Sequence, residues 1–152
     1  MSEKQDSKKY LLMTLSGILI CSIILRIFII PYKVNGNSMF PTLEHSQYGV
    51  CLRTAFNDIE RFDVVIIKTP DKYLVKRVIG LPNEHIQYKD NNLYINDIQV
   101  MDIYNKNTTD DFDVYIGNDE YFCLGDNRQV SKDSRVLGCF KLQDISGNCG
   151  NI

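Results

Sequence analysis

Residues 61–82, RFDVVIIKTPDKYLVKRVIGLP, hold two apolar runs rich in valine and isoleucine on either side of Thr69-Pro70-Asp71-Lys72. β-Branched side chains are stiff and pack well on a pleated surface, and proline presets the backbone for a turn, so the stretch reads as a β-hairpin. Residues 85–97, HIQYKDNNLYIND, alternate apolar and polar on both sides of Asp90-Asn91-Asn92 and read as a second hairpin. In DVYIGNDEYFCLGDN, residues 113–127, a strand is expected at 121–124, closed by Gly125-Asp126-Asn127. No amphipathic helix, internal repeat or low-complexity linker interrupts this pattern. The expected fold is mostly β: antiparallel sheets in a partly barrel-like domain.

Upstream the composition changes abruptly. The polar MSEKQDSKKY gives way to LLMTLSGILICSIILRIFII, residues 11–30. As a helix this run is about 30 Å long, the thickness of a bilayer's hydrocarbon core, and it reads as a retained transmembrane anchor. Arg26 sits near its end and can snorkel outward. A cleaved leader is disfavoured: its apolar core is normally shorter and followed by small residues, whereas Ala55 is the chain's only alanine. Lys4, Lys8 and Lys9 argue for a cytoplasmic N-terminus. The chain divides into a tail (1–9), an anchor (10–30) and an extracytoplasmic domain (31–152) beside the membrane lipid. A net charge of −2 over 152 residues, with acids and bases mixed, excludes a basic nucleic-acid footprint. Cys21 lies in the anchor; Cys51, Cys123, Cys139 and Cys149 allow three pairings. CxxC spacing is absent, and His45 and His85 stand alone, so neither a metal nor another cofactor is expected.

VNGNSMFPTL, residues 34–43, raises the question of function, because it places Ser38 after a flexible Gly-Asn pair in a chain with no good histidine partner. A serine hydroxyl is a weak nucleophile and needs a base; lysine serves only when withdrawn from water, which lowers its pKa. Lys76 in YLVKRVIG is the lysine flanked by apolar strand residues, Leu74, Val75, Val78 and Ile79. Taken alone, a strand lysine usually points to solvent. Four segments change that balance. NSMFPTL (37–43), DVVIIK (63–68), LVKRVIGLPN (74–83) and GDNRQVSKDSR (125–135) resemble, in order and approximate spacing, the motifs of bacterial type I signal peptidases, from the anchor to about Phe140.

The resemblance implies a membrane-anchored serine endopeptidase that cleaves signal peptides from exported preproteins. Ser38 corresponds to the nucleophile, Lys76 to its general base, and Ser131 to a serine whose hydroxyl orients the lysine. Asp133 and Arg135 match an ion pair, and Arg77, Asp126, Asn127 and Arg128 match framework positions. The Ser38 N–H is the implied first oxyanion donor; Gly36, two residues earlier, carries no hydroxyl, as in the Gram-positive branch, so a second donor must be backbone or water. Val34, Met39, Leu43, Leu74 and Val75 match positions lining shallow pockets for small side chains, although Leu43 suits core packing equally well. Substrate is expected to lie extended beside the strand before Lys76. Oligomeric state is not indicated.

Two departures stand out. The chain reads DISGNCGNI where the family usually continues in an aromatic and β-branched strand, which would leave a sheet edge open, and Phe62 stands where glycine is common. The segment 100–120 is also too short for the extra domain of the larger Gram-negative enzymes. A noncatalytic paralogue that binds precursors is the alternative reading. A self-cleaving repressor-type Ser-Lys protease would share the dyad, but not the anchor or the GDNRQVSKDSR match.

Overall fold

The computed structural model describes residues 2–56 and 58–152, with backbone alone at residues 2–6 and 56. Lys4 therefore lies outside the described side chains. Helix α1 (Ser2–Phe28) contains a candidate membrane span, Ser7–Phe28, whose most apolar 18 residues have a mean hydropathy of 2.3, none of them buried against the rest of the protein. The helix ends at Phe28, two residues short of the expected anchor end, and Ile29 opens strand β1 (Ile29–Lys33). Pro31 accounts for the difference: it disfavours helical backbone at Ile30 and cannot donate to a helix. It is tolerated in β1 because that strand lies at a sheet edge.

After β1 come β2 (Tyr48–Arg53), β3 (Val64–Lys68), β4 (Tyr73–Gly80), β5 (His85–Lys89), β6 (Asn92–Ile95), β7 (Ile98–Val100), β8 (Phe112–Tyr115) and β9 (Glu120–Leu124). The chain ends with α2 (Ser134–Leu137), β10 (Phe140–Lys141) and β11 (Ile145–Asn148). They form two antiparallel sheets, one ordered β1-β2-β11-β3-β4-β9-β10, the other β7-β6-β5-β8. The first expected hairpin is β3–β4, with Val65 opposite Lys76 and Thr69 N donating to Lys72 O at 2.9 Å across the turn. The second is β5–β6, whose Asp90 (φ 50°) and Asn91 (φ 64°) take the left-handed backbone a tight hairpin needs. The strand expected at 121–124 is β9.

The C-terminal expectation is overturned. ISGN forms β11, held between β2 and β3, so no edge is left open there. Its sequence shows no strand pattern; position between two strands makes it one. A Cβ on Gly147 would meet Leu52 O and Ile30 Cδ1 at 3.2 Å each, so the closeness of β2 favours a residue without a side chain. A disulfide joins Cys51 of β2 to Cys149 just beyond β11. Packing is organised in three buried clusters. One joins the two sheets through Ile79 and Phe122 of the larger and Ile86 and Tyr88 of the smaller, a second lies around Val65, Ile67, Val78 and Cys123, and a third joins Val34, Met39, Leu43 and Val64.

Candidate active site

The third cluster anchors the loop between β1 and β2. Val34 N donates to Gln47 O at 2.8 Å and Ser46 N returns to Val34 O at 2.9 Å, closing the loop at its base. Met39 and Leu43 point into the core, and Leu43 N donates to Met39 O at 2.9 Å. Gly36 has φ +106°, a conformation open to glycine, and its N–H donates to His45 Nδ1 at 3.0 Å. Ser38 is thereby lifted, half-buried, between the two core residues and the glycine. Its carbonyl accepts from Asn127 N at 3.0 Å, which ties this loop to the one following β9.

Lys76 comes from the middle of β4 and is only 3% exposed. Its Nζ lies 2.7 Å from Ser38 Oγ and 3.1 Å from Val75 O. Burial pushes its pKa down from 10.5 to about 8; Asp133 opposes this and Lys72 assists it. The geometry thus combines a hydroxyl within proton-transfer distance of an amine with an amine that sheds its proton readily. Leu74, Gly36, Ser38 and Lys76 line one open cleft of about 420 Å³.

Ser131 is placed beside this pair. A Cβ on Gly125 would lie 2.2 Å from Ser131 Oγ and 2.5 Å from Ser38 O, so all three residues crowd one point. The implied hydrogen bond from Ser131 to the lysine is absent: Nζ is directed to Ser38 and the Val75 carbonyl, and the buried Ser131 hydroxyl instead lies beside the Asp133 carboxylate and helps to hold its pKa down. Gly125→Ala is therefore expected to drive the two loops apart, lowering kcat/KM by about 100-fold, a typical result of displacing reacting groups by about 1 Å. Steady-state kinetics on a folded variant check this.

The framework residues build the floor. Arg77 and Asp126 are fully buried and paired through Nε–Oδ1 (2.9 Å) and Nη2–Oδ2 (2.8 Å). The Arg77 guanidinium also donates to Phe62 O at 2.7 Å and Ile152 O at 2.9 Å, and stacks 3.5 Å from the Tyr104 ring centre. Phe62 has φ +71°, which explains why glycine would suit that position; its carbonyl is held by Arg77 and its ring packs on Tyr104. Asp133 and Arg135 pair as expected, at 2.9 Å through both carboxylate oxygens. Burial pushes the Asp133 carboxyl up, but Arg135 and the Gly125 N–H outweigh it and hold the group below its usual range. Arg128 donates to Asp102 at 2.6 Å, to Gly125 O at 2.9 Å and to Tyr88 OH at 3.1 Å.

Of the apolar candidates, Val34, Met39 and Leu43 are buried together, with Val75 packed against them; Leu43 is 2% exposed and acts as core. Leu74 alone of the five lines the open cleft. Thr42, Asp102 and Tyr104 escaped sequence reasoning. Thr42 donates to Asp126 at 2.5 Å, a role that its place in NSMFPTL could have suggested, whereas Asp102 and Tyr104 sit in a polar stretch without periodicity. Among the described residues no group of histidine, cysteine or carboxylate side chains is placed to hold a metal ion.

Comparison with known proteins matches residues 7–151 to a family described as signal peptidase, peptidase S26. The chain is 36% identical over 166 residues to signal peptidase I S of Bacillus subtilis (strain 168), covering 96% of this chain and 90% of that one. It is 39% identical over 137 residues to signal peptidase I V of the same organism, covering 78% and 82% respectively. The crystal structure of a signal peptidase I from Enterococcus faecalis V583 superposes with TM-score 0.56 at 33% identity, covering 60% of this chain and 97% of that one.

Proposed function

The chain belongs to the signal peptidase family, peptidase S26, and is a serine endopeptidase that cleaves signal peptides; from that premise we propose that Ser38 is its nucleophile and Lys76 the general base. The observation that carries this assignment is the 2.7 Å contact between Ser38 Oγ and a buried lysine nitrogen. Neutral Lys76 takes the hydroxyl proton as Oγ attacks the scissile carbonyl, and the Ser38 N–H faces the developing oxyanion. The ammonium then protonates the departing amine, leaving an acyl-enzyme. Water, deprotonated by the same nitrogen, attacks the ester, and Oγ recovers its proton.

Ser131 is the proposed positioning residue. Its buried hydroxyl lies beside the Asp133 carboxylate and the Ser38 loop, and it is available to accept from the ammonium formed during acyl transfer. Gly36 and Leu74 are the proposed walls for the small residues before the cut, with Val34, Met39, Leu43 and Val75 supporting them from the core. The noncatalytic alternative is disfavoured by the contact itself, since Ser38 and the buried Lys76 are placed as a working pair.

We further propose that residues 1–9 are cytoplasmic, that the anchor runs from residue 10 to Phe28, and that the domain from Ile29 onward lies on the outer face. Exposed Lys8 and Lys9 before the apolar stretch support this orientation. At the other end, Arg53 donates through Nε and Nη2 to Arg26 O at 3.4 Å, fastening the sheet to the end of α1. Tyr48, Val50 and Leu52 alternate along β2 on one exposed face beside that junction and are proposed to meet membrane lipid. Anchoring holds the site where preprotein cleavage points emerge and raises their local concentration.

The test is incubation of the detergent-solubilised chain with a labelled preprotein and sequencing of the new N-terminus. Because the base acts as the free amine, kcat/KM is expected to rise with pH through about 8 and then level. A profile flat from pH 6 to 10 would rule Lys76 out as the base.

A further inference from the structure

The cleft above Ser38 carries a charge bias that the reaction itself does not use. Lys72, from the turn between β3 and β4, and Lys132, from the loop between β9 and α2, line it together with Ser38, Leu74 and Lys76. They come from the two chain segments between which the nucleophile sits. The other lining residues are asparagines, Gly36 and Val130, so no carboxylate faces the cleft. Both lysines are exposed, and neither enters an ion pair among the described residues. The chain as a whole is acidic, at −2, so this positive rim is local. A cleft lined by one sign of charge focuses its field on whatever enters and disfavours like charge.

An extended substrate sends alternate side chains to opposite sides. The small residues at the first and third positions before the cut face the apolar walls, leaving the second position, and those just after the cut, to project toward the rim. We infer that Lys72 and Lys132 are specificity residues that favour an acidic side chain, and reject a basic one, at positions flanking the cleavage site. The inference rests on the peptidase reading above.

The experiment uses the full chain in detergent and peptides sharing the same small residues, with Glu, Gln or Lys at the second position before the cut or the first or second after it. Expected is kcat/KM in the order Glu, Gln, Lys at one or more of these positions, with about three- to tenfold between Glu and Lys at low salt. The ratio shrinks toward one at about 0.5 M salt, where the screening length is only a few ångströms. In Lys72→Gln/Lys132→Gln it falls to about one at low salt. Taking the ratio within each enzyme cancels any change the substitutions bring to Lys76. Equal rates at every position, or a preference that survives in the double variant, overturn the inference while cleavage of the Gln peptides leaves the peptidase reading standing. Gln peptides left intact by the wild-type chain overturn both.

Discussion

Lys76→Met is expected to bring preprotein cleavage down by about 10⁴-fold or more, to the level of Ser38→Ala, while leaving a chain more stable than the wild type at neutral pH. The loss of activity follows from the base: without a neutral nitrogen 2.7 Å away, Ser38 keeps its proton and attacks too slowly. The gain in stability follows from the same burial. The drop in pKa from 10.5 to about 8, at about 1.4 kcal/mol per decade of proton affinity, corresponds to about 3 kcal/mol. Below pH 8 both states hold the proton, and the folded chain bears this cost in full. Between 8 and 10.5 the unfolded chain still binds a proton that the folded one has released, so wild-type stability rises with pH. Above 10.5 the cost is gone. The advantage of Lys76→Met should therefore be largest below pH 8 and fade toward 10.5, as read by urea denaturation in detergent. A methionine variant less stable than wild type at pH 7 would contradict a dehydrated amine.

Asp126→Ala is expected to be the most destabilising single change in the site framework, at about 3–5 kcal/mol. Arg77 and Asp126 have no exposed side-chain surface, so removing the carboxylate strands a guanidinium away from water. Thr42 loses its acceptor in the same step. For a chain of this size the thermal midpoint should fall by about 10–20 °C. Activity should fall too, because the next residue, Asn127, holds the Ser38 carbonyl, and Arg77 neighbours Lys76. Thermal unfolding followed by circular dichroism checks the first point. A loss under about 1 kcal/mol would mean that water reaches Arg77. Replacing both partners by apolar residues of similar volume should recover much of the stability, since no charge is then left unpaired.

Legibility in the sequence divided along physical lines. The hairpin β3–β4 could be read from its β-branched runs and β5–β6 from its alternation, with proline, aspartate or asparagine marking the turns. Ser38 and Lys76 could be paired only through the four segments that resemble the signal peptidase motifs; the apolar flanks of Lys76 singled it out among the lysines but did not fix its side chain inward. β11 could not be read: ISGN becomes a strand only because β2 and β3 flank it. The end of helix α1 falls two residues before the end of the apolar run because hydropathy continues past the point where Pro31 dictates extended backbone. Tyr104 and Asp102 were invisible for want of periodicity, since their contacts are made with residues far along the chain. Leu43 shows the opposite limit, where a pocket wall and a core residue have the same composition and only burial separates them.

The bond between Cys51 and Cys149 spans 98 residues of chain, from β2 to just past β11. Everything between, including Lys76 and Ser131, is a closed ring of covalent bonds. The exposed stretch around Met101 and Ile103 is the kind of surface where extracellular proteases nick a chain. A single nick there opens the ring without releasing a fragment, so the halves carrying Ser38 and Ser131 stay tethered until the sulfurs are reduced. For an enzyme proposed to work on the oxidising side of the membrane, that is a built-in tolerance to hydrolytic damage.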